Sequence, residues 1–181
     1  MPVKHLISRS DILSYYRQLL ILLSEVYRST DGRYPAMEWL DPKEKPNPRS
    51  PNLLEEFEDK YGEFLLWRLK EEIDELFLFL LEDKVIGVVG LNYKLSNKNI
   101  PWIPREFMRE KYGFIELFVV HPNHQGRGIG KTLFNTAISR LKQLGKKPCV
   151  VTFPELEATK FYERLGGRIM KKYDVFVLYC F

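Results

Sequence analysis

The run Val119-Val120-His121-Pro122-Asn123-His124-Gln125-Gly126-Arg127-Gly128-Ile129-Gly130-Lys131 decides how this chain is read. Before it lies an apolar stretch, Phe114 to Val120. After it, Leu133, Phe134, Ala137, Ile138, Leu141 and Leu144 recur at helical spacing until Gly145. The run therefore joins a buried strand to an amphipathic helix over about 128–144. Glycines at 126, 128 and 130 let main chain come close to a ligand in conformations that other residues avoid. They also leave the first N–H groups of the helix unpaired. Those donors, with the positive end of the helix dipole, suit an anion, and a pyrophosphate fits well. Arg127 and Lys131 add charge at the rim.

Three nucleotide patterns compete for this turn. Gly130-Lys131-Thr132 has the ending of a P-loop, but that motif needs glycine where Gln125 stands. A dinucleotide fingerprint, Gly-x-Gly-x-x-Gly, fails on spacing, because position 131 is lysine. The third pattern, Gln/Arg-x-x-Gly-x-Gly/Ala, is matched in full by Gln125 to Gly130.

Outward from the turn, the chain changes period several times. Ser10-Asp11 caps a helix predicted over about 10–28, with Ile12, Leu13, Tyr16, Leu19, Leu20, Leu23 and Val26 on one face. From 29 to 52 come five of the eleven prolines, which exclude a long helix or central strand. This long loop, with a short turn near Ala36 to Leu40, is either a candidate for substrate contact or a plain surface excursion. A second helix is predicted over about 53–74, with Phe57, Phe64, Leu65, Leu69 and Ile73 buried. Then Glu75 to Leu81 and Val85 to Tyr93 form an antiparallel hairpin. The stretch from Ser96 to Tyr112, broken by Pro101 and Pro104, carries Trp102, Ile103, Phe107 and Met108; these cover the core edge or wall a substrate pocket. Beyond the central helix follow a strand at Cys149 to Phe153, a helix at about 154–165 stopped by Gly166-Gly167, and a last strand region at Ile169 to Tyr179. Strands alternating with helices, plus a hairpin, imply a mixed sheet flanked by helices.

This order resembles the GNAT superfamily of N-acetyltransferases from about Leu76 to Phe181. The Gln-x-x-Gly-x-Gly turn pairs with Ala158-x-x-x-Tyr162-Glu163-Arg164-Leu165-Gly166, which looks like the family's Ala-x-x-x-Tyr-Glu-x-x-Gly segment. The resemblance implies an α/β (α+β) fold with a mixed, largely antiparallel sheet whose central strands splay to admit acetyl-CoA as co-substrate. Gln125, Gly126, Arg127, Gly128, Ile129, Gly130 and Lys131 are expected at its pyrophosphate, and Phe118, Val119 and Val120 along its pantetheine arm. One domain, 1–181, is expected, with 1–75 on the acceptor side and 76–181 forming the coenzyme core.

The implied reaction is direct attack of a primary amine on the thioester in a ternary complex. An alkylamine near pKa 10 is mostly protonated at neutral pH, so some group must take its proton. Glu116, charged in an otherwise apolar strand, is the first candidate, directly or through water; a solvent-facing Glu116 is the plain alternative. His121 and His124 are further candidates, but their spacing is poor support for a metal site, and no metal is expected. Tyr162 matches the family tyrosine near the leaving sulfur. Proton transfer from tyrosine to a thiolate is uphill by about 2 kcal/mol at reference values, so Tyr162 is expected to orient the sulfur as much as to protonate it. Seven residues earlier, Glu155 stands where the family commonly has asparagine on the pantetheine arm, and a carboxylate cannot donate as an amide does. A CoA-binding module without turnover is the alternative, and a small P-loop kinase a third.

The chain has 181 residues, 28 Lys+Arg and 24 Asp+Glu, a balance too even to argue for nucleic acid. No apolar run reaches the roughly 18 residues of a membrane span, and the first residues lack the apolar core of a secretory signal. Cys149 and Cys180 lie in apolar runs and are expected as reduced core thiols in a cytoplasmic protein. The acceptor amine is not identified, and a homodimer is left open.

Overall fold

A computed structural model describes residues 3–181. The chain runs β1 (Val3–Leu6), α1 (Arg9–Ser14), α2 (Tyr16–Ser29), α3 (Leu53–Trp67), β2 (Glu75–Leu81), β3 (Lys84–Asn92), β4 (Tyr112–Val120), α4 (Ile129–Gln143), β5 (Lys147–Thr152), α5 (Ala158–Arg164), β6 (Arg168–Tyr173) and β7 (Phe176–Cys180). The strands form one seven-stranded sheet in the order β1-β2-β3-β4-β5-β7-β6. Each neighbouring pair is antiparallel except β4 and β5. This is the mixed, largely antiparallel sheet flanked by helices that the sequence predicts.

Helices cover both faces. Leu19, Leu20 and Leu23 of α2 and Phe57, Tyr61 and Leu65 of α3 pack on one face against Leu76, Leu78, Val88, Leu117 and Val119. On the other face, Leu133, Phe134, Ala137 and Leu141 of α4 meet Val89, Leu91, Ile115 and Val150. Burying such stripes supplies most of the stability of helices this short.

Several boundaries differ from expectation, each for a local reason. The helix predicted over 10–28 is two helices, because Tyr15 leaves the helical region at φ −93°, ψ 2°. The helix predicted over 53–74 ends at Trp67 and widens into a π-turn at Arg68–Glu72, closed by Ile73 N–H donating to the Arg68 carbonyl at 2.9 Å. The last helix is shorter than predicted, starting at Ala158 after a turn through Pro154 and Glu155. The final strand region is a hairpin turning at Asp174, whose φ is 48°. Strand β1, too short to signal itself, pairs with β2.

The cysteines correct a prediction. Cys149 and Cys180 are directly opposite on β5 and β7 and form a disulfide rather than two thiols. Partners 31 residues apart become cross-strand neighbours only once the sheet is ordered, so local context had no means of pairing them.

Candidate active site

Strands β4 and β5 pair over only three positions, Tyr112–Lys147, Gly113–Pro148 and Phe114–Cys149. Beyond Phe114 they diverge, which opens a cleft between the two central strands. The disulfide stands at its apex, since Cys149 is the last β5 residue held by β4.

Within β4, the pairing with β3 shifts between Val88–Val119 and Gly90–Glu116. Leu117 takes up the extra residue at φ 51°, a left-handed conformation uncommon for leucine and typical of a bulge beside a functional site. Glu116 and Leu117 consequently both face the α2–α3 side, whereas Phe118 and Val120 face α4. The Phe118 ring packs 5.4 Å from Phe134 and 5.6 Å from Phe161.

One end of the cleft is main chain. Gly126 and Gly128 lie at φ 75° and 82°, and a β-carbon added at either would meet nothing within 4 Å. These glycines are thus needed for their backbone conformation, and the space above them is open. Among the described residues, the N–H groups from Gly126 to Lys131 have no main-chain acceptor; the first to find one is Thr132, on the Gly128 carbonyl at 3.0 Å. Together they form a corner of free donors at the N-terminus of α4, an arrangement suited to an anion. Arg127 and Lys131 are exposed beside it, whereas the Ile129 side chain is buried, so only its N–H faces the corner. The Gln125 amide donates to the Val120 carbonyl at 3.1 Å, tying the turn to the end of β4.

The other end is built from side chains. Glu116 is 8% exposed and Glu72 0%. Arg68 lies between them, donating to Glu72 through Nε at 2.7 Å and Nη2 at 3.0 Å, and to Glu116 through Nη2 at 3.2 Å. The π-turn brings Arg68 and Glu72 to one side; such turns recur at functional sites. Trp102 Nε1 donates to the second Glu116 oxygen at 3.0 Å. Two carboxyls thus share one guanidinium away from water. Burial, then the Glu72 charge, push the Glu116 carboxyl well above the usual range, and Arg68 and Trp102 only partly oppose them. Burial works against the Arg68 cation, but Glu72 above all keeps it charged.

Aromatic rings line this end. Trp39 and Tyr34 come from the proline-rich loop, Tyr61, Phe64 and Trp67 from α3 and its end. Burial raises the Tyr34 phenol, on which Arg68, Tyr61, Glu116 and Glu72 also act. Burial likewise raises the Tyr61 phenol, whose Oη has no hydrogen-bond partner among the described residues. The loop is not a plain excursion: Met37 is buried in the core, and Tyr27 Oη donates to the Pro46 carbonyl at 2.9 Å.

Tyr162 of α5 lies across the cleft, 5% exposed, its ring 5.4 Å from Phe134. Burial, then the Tyr34 and Glu116 charges, push its phenol up. Glu155 is exposed in the turn before α5. His121 Nδ1 accepts from the Asn123 N–H at 3.2 Å and so caps a short turn; burial, then His124, lower its pKa. No group of three His, Cys, Asp or Glu among the described residues could hold a metal ion.

Arg68, Glu72, Tyr34 and Tyr61 are the members that sequence reasoning missed. The i, i+4 pair Arg68–Glu72 looks like any exposed ion pair on a charged helix. Only the apolar flanks, Leu69 and Ile73, hinted at burial.

Residues 34–167 match the family model described as the acetyltransferase (GNAT) family. An uncharacterized N-acetyltransferase of Methanocaldococcus jannaschii is 31% identical over 105 residues, which are 57% of this chain and 43% of that protein, so the match spans less than half of the relative. A putative acetyltransferase from Pyrococcus horikoshii, known as a crystal structure, is 44% identical, covering 97% of this chain and 94% of its own, with a TM-score of 0.77. At 14% identity, the paia N-acetyltransferase from Thermoplasma acidophilum, crystallised with coenzyme A, shares the fold with a TM-score of 0.60 over 99% of this chain and 98% of its own. With its family match covering most of the chain, and the splayed strands and glycine turn in place, this protein belongs to the GNAT acetyltransferase family.

Proposed function

We propose that the chain is an acetyl-CoA-dependent N-acetyltransferase acting on a primary amine by direct attack in a ternary complex. The carrying observation is that one splayed strand, β4, leads into a turn with open main-chain donors at residues 126–131 and presents a buried carboxyl, Glu116, four residues before its last residue. Pyrophosphate suits the first feature, and proton removal from an ammonium suits the second.

In this reading the 126–131 N–H groups hold the diphosphate, with Arg127 and Lys131 screening its charge. Phe118 to Val120 accompany the pantetheine arm as an added strand would. The Val120 carbonyl shares that edge with Gln125. Glu155 faces solvent at the mouth, where its carboxylate offers acceptors only.

Glu116 takes a proton from the incoming ammonium. Its raised pKa brings it closer to that of the amine, which improves transfer. The nitrogen then bonds to the acetyl carbon as the C–S bond breaks. Of the two protons the ammonium loses, one ends on the CoA sulfur and the other leaves through Glu116 to solvent. Tyr162, its phenol pushed up rather than down, orients the sulfur more readily than it protonates it. No metal or acyl-enzyme enters this scheme.

Residues 1–75 shape the acceptor side of a single domain in this proposal, and 76–181 hold the coenzyme. The cytoplasm is the proposed compartment because acetyl-CoA is an intracellular metabolite. No described helix is long and apolar enough to cross a membrane. A disulfide is uncommon there, though intracellular proteins of hyperthermophiles are an established exception.

Release of free CoA thiol from acetyl-CoA over a panel of primary amines tests the reading. Amine-dependent release is expected. The second reading, a CoA-binding module without turnover, draws on the neutral form that burial favours at Glu116. It predicts acetyl-CoA binding with no amine-dependent release at any pH up to about 9.

A further inference from the structure

The acceptor end carries a wall of aromatic rings that the transfer chemistry does not require. Trp39 is 52% exposed. Its ring is 4.9 Å from Phe64, which is 6.2 Å from Trp102, and the Trp102 indole N–H is bonded to Glu116. A continuous ring surface therefore runs from solvent to the carboxyl proposed as the base.

Charge at this wall leaves room for one further cation at most. Arg68 is held by Glu72 and Glu116 and lies 5.5 Å from the Trp102 ring centre and 5.8 Å from that of Phe64. It is not free to grip a substrate carboxylate. Glu72 and Glu116 together carry at most one negative charge beyond that of Arg68, which suits a single ammonium and leaves nothing for the further ammonium groups of a polyamine. Lys98, a half-buried cation, is committed to Asp74 and Asn92. Tyr61, fully buried beside Arg68, belongs to the same end.

We propose that the acceptor is a monoamine on an aromatic or apolar body, lying along Trp39, Phe64 and Trp102 with its nitrogen at Glu116. The inference rests on Glu116 as proton acceptor in the proposed acetyl transfer. It goes further by excluding polyamines and free amino acids as preferred acceptors. An apolar body buries surface on the wall, and a planar ring adds the preference of aromatic pairs for tilted contact.

Initial rates of thiol release with 2-phenylethylamine, propylamine, spermidine and glycine test it. The expected kcat/KM for 2-phenylethylamine is about tenfold or more above that for propylamine, with spermidine and glycine lower still. Trp39→Ala is expected to shrink the phenylethylamine-to-propylamine ratio by about threefold to tenfold, and Trp39→Phe to restore most of it. A loop that had merely loosened would lower both amines together and leave the ratio unchanged. Equal rates with the two monoamines, an unchanged ratio in Trp39→Ala, or a preference for spermidine or glycine would each overturn the proposal while leaving acetyl transfer intact. Acetyl-CoA binding with no amine accepted would instead overturn the transfer reading, and this inference with it.

Discussion

The two ends of the cleft are made from different materials. The end proposed for the coenzyme is main chain: glycines at positive φ and a helix terminus with unpaired N–H groups, all within seven consecutive residues, 125–131. The end proposed for the acceptor is side chains, drawn from the proline-rich loop, the π-turn after α3, the loop before β4, and β4 itself. The first is open and nearly independent of its surroundings. The second is buried, and its charges exist only because each offsets another. Main-chain recognition suits a coenzyme common to a family, whereas a side-chain cluster can change with the acceptor.

The largest expected effect breaks the acceptor end alone. Glu116→Gln is isosteric and keeps an oxygen for the Trp102 N–H, but cannot take a proton. Its kcat/KM for amines should fall by about 10²- to 10⁴-fold, with acetyl-CoA affinity little changed. The wild-type rate should also rise with pH through the elevated Glu116 titration, and that limb should vanish in the variant. If Glu116→Gln retained its rate and pH profile, another group or solvent would be the base.

Removing the disulfide acts on the apex that joins the ends. Cys149→Ser with Cys180→Ser opens a loop of 31-residue separation, and loop-closure entropy gives an expected loss of about 3–4 kcal/mol in denaturant unfolding. Because β5 leaves β4 at this point, acetyl-CoA affinity should weaken more than the preference among amines. Unchanged stability would mean the thiols are reduced in solution, as the sequence alone suggests.

This division also explains what was legible beforehand. The strand–turn–helix at 114–144 announced itself because glycine spacing and helical period are local properties. The splay followed from the family resemblance attached to that turn. Glu116 stood out as a charge in an apolar strand, and Trp102 as an aromatic in a loop, but nothing local joined them. Arg68 and Glu72 were hidden because their spacing matches a routine surface pair, and the π-turn that aims them inward has no sequence signature. The disulfide and β1 depend on strand pairing across the sheet, which period and propensity do not encode.

A subtler test concerns the cost of the buried acid. Glu116 is held above the unfolded value near 4.5, so between that value and its folded pKa the folded chain binds the extra proton. Stability from this group is therefore complete at low pH and is lost as pH rises through that window. Glutamine has no such proton. The stability of Glu116→Gln relative to wild type should climb by up to about 1.4 kcal/mol per pH unit as pH rises above the unfolded value, until the folded carboxyl itself titrates, as read by urea midpoints. A flat difference would mean that Glu116 is ionised in the folded cluster, with Arg68 dominating.

At the coenzyme end, Gly128→Ala adds a methyl in open space but at φ 82°, a conformation costing an ordinary residue about 1–2 kcal/mol. Acetyl-CoA KM should rise by up to about tenfold, with the order of preference among amines unchanged. A reordered preference would show that the two ends are coupled.

Tyr162 belongs to neither end, and its removal should matter least. Its ring is packed against Phe134 and Tyr179, contacts that Tyr162→Phe preserves. Only the hydroxyl is lost, and burial with the Tyr34 and Glu116 charges has made that hydroxyl a weaker acid than free tyrosine. A thiolate leaves tolerably unaided, so kcat should fall by less than about tenfold, with the pH profile still governed by Glu116. General acid catalysis is worth roughly 10²- to 10⁴-fold where it operates. A loss of that size in Tyr162→Phe, largest with the poorest leaving thiol, would make Tyr162 the proton donor after all. The cleft would then have a chemical group on each wall rather than chemistry on one and coenzyme binding on the other.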